Sequence, residues 1–298
     1  LAMLTYVGAL LLLVLVLVYG FQINGSRRWL SLMGFSIQPS EIIKPALIMV
    51  SAYLLSRRET APGLPWEAIA ITALGLVCVL LILQPDAGQT LLLCMAFGVC
   101  IFVAGLSWRW AGGLLAGGIM LIGLLYIALP HFRNRISQLF APSSNDATQV
   151  DLALRAISRG SFWGVGPGEG RIKDVLPEAN TDFIYSVAAE EFGLLVSLCL
   201  IGLFLFITLR GMLLAARLED SFSRAACTGL FALFGFQAAV NILVNVDFAP
   251  PTGMTLPLVS HGGSSAFGMA LTLGFALGLL RQRTRTVYQP GQLHPKGI

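Results

Sequence analysis

The chain has 298 residues, of which 56% are hydrophobic and only 11% charged. Soluble domains carry about 25% charged residues, so the composition excludes an ordinary soluble globule and points to a membrane protein. The net charge of +4 is small and its basic residues are not clustered, so nucleic acid is not an expected partner and membrane lipid is.

A bilayer core of about 30 Å needs roughly 20 apolar helical residues. Eight segments meet or approach that length, at 3–20, 41–56, 66–84, 89–106, 110–129, 183–210, 225–248 and 256–280. Such runs are too long for barrel strands. The predicted fold is therefore all-α, a polytopic helical bundle. The second segment is short and contains Glu41 and Lys44. Gly274 and Gly278 in the last one predict tight helix packing. The chain opens at Leu1 without a basic leader or cleavage site, and is read as the body of a longer protein.

Orientation follows from basic residues in the short connections. With the C-terminal tail inside, Arg57, Arg58, Arg109 and the Arg210–Arg224 connection also fall inside. The junctions at Gln84–Asp86 and Asp247–Pro251, without Lys or Arg, fall outside, as does a large extracytoplasmic loop at 130–182. Loops of that length inside a compact protein are usually functional. The five cysteines lie in or beside apolar runs without metal-ligand spacing and read as small hydrophobes.

Four polar stretches, besides the one at 176–187, interrupt the apolar pattern. Arg27 and Arg28 beside Trp29 suit either an interfacial anchor or a site for phosphate oxygens. Glu41 and Lys44, three apart, can pair on one helix face, and charges inside a membrane segment usually mark a polar cavity. Asp86, three residues before Gln89, has the spacing of a helix cap. In the fourth stretch, Ser260, His261 and Ser264 accompany paired glycines at an irregular helix entry that should line a cavity.

The sharpest stretch is LPEANTDFIYSV at 176–187, where a polar loop runs into an apolar helix with Asp182 at the junction. Asp182 can cap that helix or do chemistry. Helical phase places Ser186, Ala189 and Gly193 on its face, a small stripe that would line a groove, with Glu191 about opposite. The chain has no Walker loop, dinucleotide fingerprint, HExxH or GxSxG, which disfavours nucleotide-driven transport and zinc or serine hydrolysis.

Taken in order, GSRRWLSL, QPSEIIK, QPDAGQT, GVGPGEG, LPEANTDFIYSVAAEEFG, FQAAVNILVNV and GMTLPLVSHGGSS resemble the SEDS family (shape, elongation, division and sporulation), closest to its division-type branch. The resemblance implies a single SEDS-type transmembrane domain over 1–298, with eight visible helices of a family ten. It implies a multi-pass protein of the bacterial inner membrane at the division septum. The implied activity is peptidoglycan glycosyltransfer, inverting, polymerising lipid II, the undecaprenyl-pyrophosphate disaccharide-pentapeptide.

By that resemblance Asp182 is the general base on the acceptor sugar's 4-hydroxyl. Arg28, Glu41, Lys44, Asp86, Lys173, Ser260 and Ser264 are the expected substrate-binding residues, with Arg28, Lys44 and Lys173 offsetting charge on the leaving pyrophosphate. A divalent cation (Mg or Mn) is an expected aid without a visible ligand set. The implied partners are a class B penicillin-binding protein transpeptidase and septal regulators. A lipid II flippase and a non-catalytic divisome assembly protein are the competing readings. His261, Thr252 and Ser161 depart from the family's usual Tyr, Lys and Gly.

Overall fold

The computed structural model describes residues 1–23, 26–32, 35–105 and 144–281, with isolated positions between 106 and 143. The predicted segment at 110–129 and the first part of the loop after it fall largely outside the described residues.

Seven of the predicted segments are helices: α1 (Ala2–Tyr19), α2 (Pro39–Thr60), α3 (Trp66–Leu83), α4 (Ala87–Val103), α6 (Ile184–Ala215), α7 (Ser221–Asn245) and α8 (Gly263–Arg281). Among the described residues, α1, α3, α6, α7 and α8 are long and apolar enough to cross a membrane, and α4 is a shorter apolar helix of 17 residues. The chain is a multi-pass membrane protein. On α1 the stripe Tyr6, Ala9, Leu13 and Val16 is buried while Leu4, Leu11 and Val18 are exposed. An apolar outer face is the expected partner of lipid chains.

The weakest predicted span proves central. Helix α2 is buried along most of its length against α1, α3, α4, α7 and α8. It starts on Pro39, where the missing N–H costs nothing, and Pro45 withdraws the donor that would bond the Glu41 carbonyl. Helix α8 passes that carbonyl at Gly268, where a Cβ would sit 2.6 Å from the oxygen. Only glycine permits that approach.

The predicted loop is partly helical. Helix α5 (Ser144–Gly160) buries Val150, Ala153 and Ala156, at three-residue spacing, toward α6. After it the chain folds back onto a break in α6 at Gly193, whose φ of 82° lies in the left-handed region. Carbonyls loosened near the break must find partners in a membrane. Val165 N–H donates to the Glu190 carbonyl at 3.0 Å and Gly166 N–H to that of Glu191 at 3.1 Å, while Leu194 N–H donates to Ser161 at 2.9 Å. Gly164 and Gly193 permit this contact, since a Cβ at Gly193 would lie 2.4 Å from Gly164 N. The stripe of Ala189 and Gly193 is therefore closed by the docked loop and lines no open groove.

Gly274 and Gly278 make no tight contact among the described residues, because a Cβ on either meets nothing within 4 Å. The expected close packing there is not formed among the described residues.

A small antiparallel sheet, β1 (Phe21–Ile23), β2 (Ser26–Leu32) and β3 (Phe35–Ile37), joins α1 to α2. Its register shifts between Phe21 and Gln22, which pair with Trp29 and Arg27. Arg28 is thus the extra residue of a β-bulge, a device that re-aims a side chain.

Helices α3 and α7 end, and α4, α6 and α8 begin, at the end of the bundle where this sheet lies. At the opposite end Arg58 reaches Glu67 at 3.4 Å and the Gly105 carbonyl at 3.4 Å. Arg57 and Arg281 close their helices at that end too. The basic and motif-bearing ends are opposite, as the charge pattern predicts.

Candidate active site

The bulge at Arg28 aims its guanidinium at the turn between α3 and α4. Nη2 donates to the Pro85 carbonyl at 2.5 Å, and Nη1 lies 3.6 Å from Asp86 Oδ1. Asp86 also caps α4, accepting from Gln89 N–H at 3.4 Å. Burial pushes its carboxyl up from the usual carboxylate range, and the Arg28 guanidinium pulls the other way. The cap and the ion pair coexist, so neither reading of Asp86 displaces the other.

Asp182 is half-buried just before the first turn of α6. It meets Arg28 at Gly253, in the irregular segment between α7 and α8. A Cβ built on Gly253 would lie 3.7 Å from Arg28 Nη1 and 3.8 Å from Asp182 Oδ2. Gly253 has φ of 70°, a conformation in which glycine alone is comfortable. A carboxylate and a guanidinium thus flank one point that a larger residue would occupy.

The backbone around Asp182 is fixed from two sides. Ser260 Oγ donates to the Thr181 carbonyl at 2.6 Å, and His261 N–H to that of Asn180 at 2.8 Å. From α7, Asn241 Nδ2 and Asn245 Nδ2 donate to the Asp182 carbonyl at 2.8 and 3.0 Å. Ser264 is further along, accepting from Gln38 N–H at 3.0 Å and donating to the Ser36 carbonyl at 3.0 Å. It joins α8 to β3, whereas Ser260 supports the segment before Asp182.

Beneath this lies a fully buried polar knot. Lys44 Nζ donates to Glu41 Oε1 at 2.9 Å, Gln89 Oε1 at 2.8 Å and Gln237 Oε1 at 2.8 Å. Gln89 Nε2 donates to Glu41 Oε1 at 2.9 Å, and Gln237 Nε2 to the Thr255 carbonyl at 3.2 Å. All three Lys44 donors are used, which is what makes a wholly buried ammonium tolerable.

The chain matches the cell cycle protein family FTSW_RODA_SPOVE over residues 1–285. It belongs to that family. It is 44% identical over 280 residues to the probable peptidoglycan glycosyltransferase FtsW of Caulobacter vibrioides, covering 93% of this chain and 71% of that protein. It is 37% identical over 276 residues to the protein of the same name from Francisella salina, covering 89% and 69%. Its fold is similar to a chain of a peptidoglycan synthase complex solved for its structural coordination of polymerization and crosslinking, at TM-score 0.76 and 33% identity, covering 95% of this chain and 82% of that one. It is likewise similar to the rod shape determining protein RodA of Thermus thermophilus, at TM-score 0.69 and 32% identity, covering 97% and 79%.

Within this FtsW/RodA/SpoVE fold, the expected site residues separate into groups. Arg28, Asp86 and Asp182 gather at one mouth, and Ser260 supports it. Glu41 and Lys44 form the knot below. Lys173 stands apart, donating to Glu191 at 2.7 Å and the Gly168 carbonyl at 2.9 Å, and the Glu191 carboxylate holds its ammonium above the usual lysine range. Its charge is spent on anchoring the loop. Glu190 anchors the same loop, accepting from Arg159 Nη1 at 3.0 Å and from the N–H groups of Arg171 and Ile172.

Asn241, Asn245 and Gln237 are the residues that sequence reasoning missed, and Gln89 was read only as the partner of the Asp86 cap. Their signal was an uncharged amide inside an apolar helix, which has to find partners. The divalent cation lacks a visible donor set: among the described residues no group of three or more His, Cys, Asp or Glu is placed to hold a metal.

Proposed function

We propose that this chain is a peptidoglycan glycosyltransferase that polymerises lipid II, with Asp182 as general base. The observation that carries this reading is the meeting of Asp182 and Arg28 at Gly253, at one mouth of a membrane bundle. Relatives named peptidoglycan glycosyltransferase support it.

In the proposed reaction the acceptor sugar's 4-hydroxyl loses its proton to the Asp182 carboxylate as its oxygen attacks the donor's anomeric carbon. The new C–O bond forms while the bond to the lipid-linked pyrophosphate breaks, and that group leaves as the anion. Such base assistance contributes about 10²- to 10⁴-fold in rate. The Arg28 fork is suited to phosphate oxygens and would offset the charge that grows on the leaving pyrophosphate. Lys44 acts at one remove, by fixing α2, α4 and α7 behind the site.

Similarity to a synthase complex that coordinates polymerization and crosslinking supports a crosslinking partner, a class B penicillin-binding protein. Resemblance to the division branch supports a place in the bacterial inner membrane at the septum, with the Asp182 mouth facing outward. The test is reconstitution of the purified protein with that partner and lipid II in vesicles. Glycan polymer is the expected product; passage of lipid II across the vesicle membrane without polymer would favour a transporter instead.

A further inference from the structure

Resting on the reading of Asp182 as the base, we infer that Asn241 and Asn245 are positioning residues for this reaction. Asn245 holds Asp182 just outside helix α6 by standing where the bond that would extend the helix back to Asp182 would form.

Helix α6 makes its first bonds at Phe183, whose carbonyl accepts from Ser186 N–H at 3.1 Å and Val187 N–H at 3.2 Å; one further residue of helix would need Ser186 N–H on the Asp182 carbonyl. Here the Asn245 amide is spliced between them. Its Nδ2 donates to the Asp182 carbonyl at 3.0 Å, and its Oδ1 accepts from Ser186 N–H at 3.1 Å. Ser186 Oγ donates to the same Oδ1 at 2.6 Å, so the amide's orientation is set by its partners. Asn245 is completely buried on α7, which leaves it no alternative partner in water.

Asn241, one turn earlier on α7, completes the arrangement. Its Nδ2 donates both to the Asp182 carbonyl at 2.8 Å and to the Met254 carbonyl at 2.7 Å. One amide thereby joins the residue that carries the base to the residue following Gly253, the glycine that faces both Asp182 and Arg28. With both acceptor sites of its carbonyl occupied, the peptide after Asp182 is fixed in its plane. Ser260 Oγ holds the peptide before it at the Thr181 carbonyl, and the two peptides together set the direction of the Asp182 Cα–Cβ bond. Without Asn245, Ser186 N–H can shift from the Phe183 carbonyl to that of Asp182, winding Asp182 into α6 and turning its side chain from the mouth.

Misplacement of a catalytic group by about 1 Å costs on the order of 100-fold. The experiment measures lipid II polymerisation by the complex with its transpeptidase partner, for Asn241→Ala, Asn245→Ala, Asn245→Gln, Ser186→Ala and Asp182→Asn. Turnover at saturating lipid II is expected to fall about 10- to 100-fold in each alanine variant of the asparagines. KM and the fraction of folded protein should stay at wild-type values. Asn245→Gln, which keeps both amide functions, should recover part of the loss. Ser186→Ala, which removes one of the two donors on Asn245 Oδ1 and leaves the backbone one, should lower turnover by less than Asn245→Ala does.

Wild-type turnover in Asn241→Ala and Asn245→Ala, beside an inactive Asp182→Asn, overturns the positioning role alone. A fall in turnover matched by loss of folded protein does the same, because it makes the asparagines packing residues. Normal polymerisation by Asp182→Asn overturns the base assignment and the positioning role together. Asn245→Gln keeps the question open to test if Asn245→Ala does not fold.

Discussion

Arg28 and Asp182 lie 154 positions apart in sequence, yet they converge on the same few ångströms of space at Gly253. The guanidinium comes from a bulged strand, the carboxylate from the mouth of a broken helix. Between them the backbone runs without a side chain. The reaction proposed for the chain has its base and the guanidinium that pairs with the leaving pyrophosphate on the two sides of that gap.

Gly253→Ala places a methyl group in the gap and forces an L side chain into left-handed backbone, at a cost of about 1 kcal/mol. Polymerisation should drop far more than stability does. Gly278→Ala is the control, since its Cβ meets nothing within 4 Å among the described residues. Rate and thermal midpoint measured together for both variants check this; equal behaviour of the two would contradict it.

Arg28→Lys keeps the charge and loses the fork that reaches both Pro85 and Asp86. A decrease of about 10-fold in kcat/KM for lipid II is expected, roughly the worth of one charge-assisted hydrogen bond. Steady-state kinetics in detergent would measure it, and an unchanged kcat/KM would remove Arg28 from the site.

Lys44→Met leaves Glu41 buried without its ammonium, and breaking a buried pair in this way costs about 3–5 kcal/mol. Replacing both partners, as in Glu41→Leu with Lys44→Met, should recover part of the loss. Thermal unfolding in detergent reads the difference. A double variant no more stable than Lys44→Met would mean that packing, not the unpaired charge, sets the cost.

Glu190→Ala removes the acceptor shared by Arg159 and the amides of Arg171 and Ile172. Hydrogen exchange at 165–172 should quicken while the amides of α7 keep their protection. Unchanged exchange there would show that the backbone contacts at Gly193 hold the loop without it.

Much of this arrangement was legible from residues alone. Apolar length announced the spans, basic residues of the short connections separated the two ends, and the acid of TDF stands at a helix mouth, as its place between polar loop and apolar run implied. Helix α5 was visible in Val150, Ala153 and Ala156 but obscured by the charged residues around them. The three-stranded sheet between α1 and α2 departs from the all-α expectation. The roles of Lys173 and the asparagines were not legible. A lysine in a charged loop gives no sign that Glu191 has claimed it, and which carbonyl an asparagine serves is set by tertiary packing, not by spacing.

The central claim is that one carboxylate removes the acceptor's proton, and Asp182→Asn tests it most directly because it preserves shape and removes the base. With wild type and variant each purified with the transpeptidase partner and supplied with lipid II, no glycan polymer is predicted from the variant, in a complex that forms and binds its substrate as before. Polymer at the wild-type rate would contradict the account.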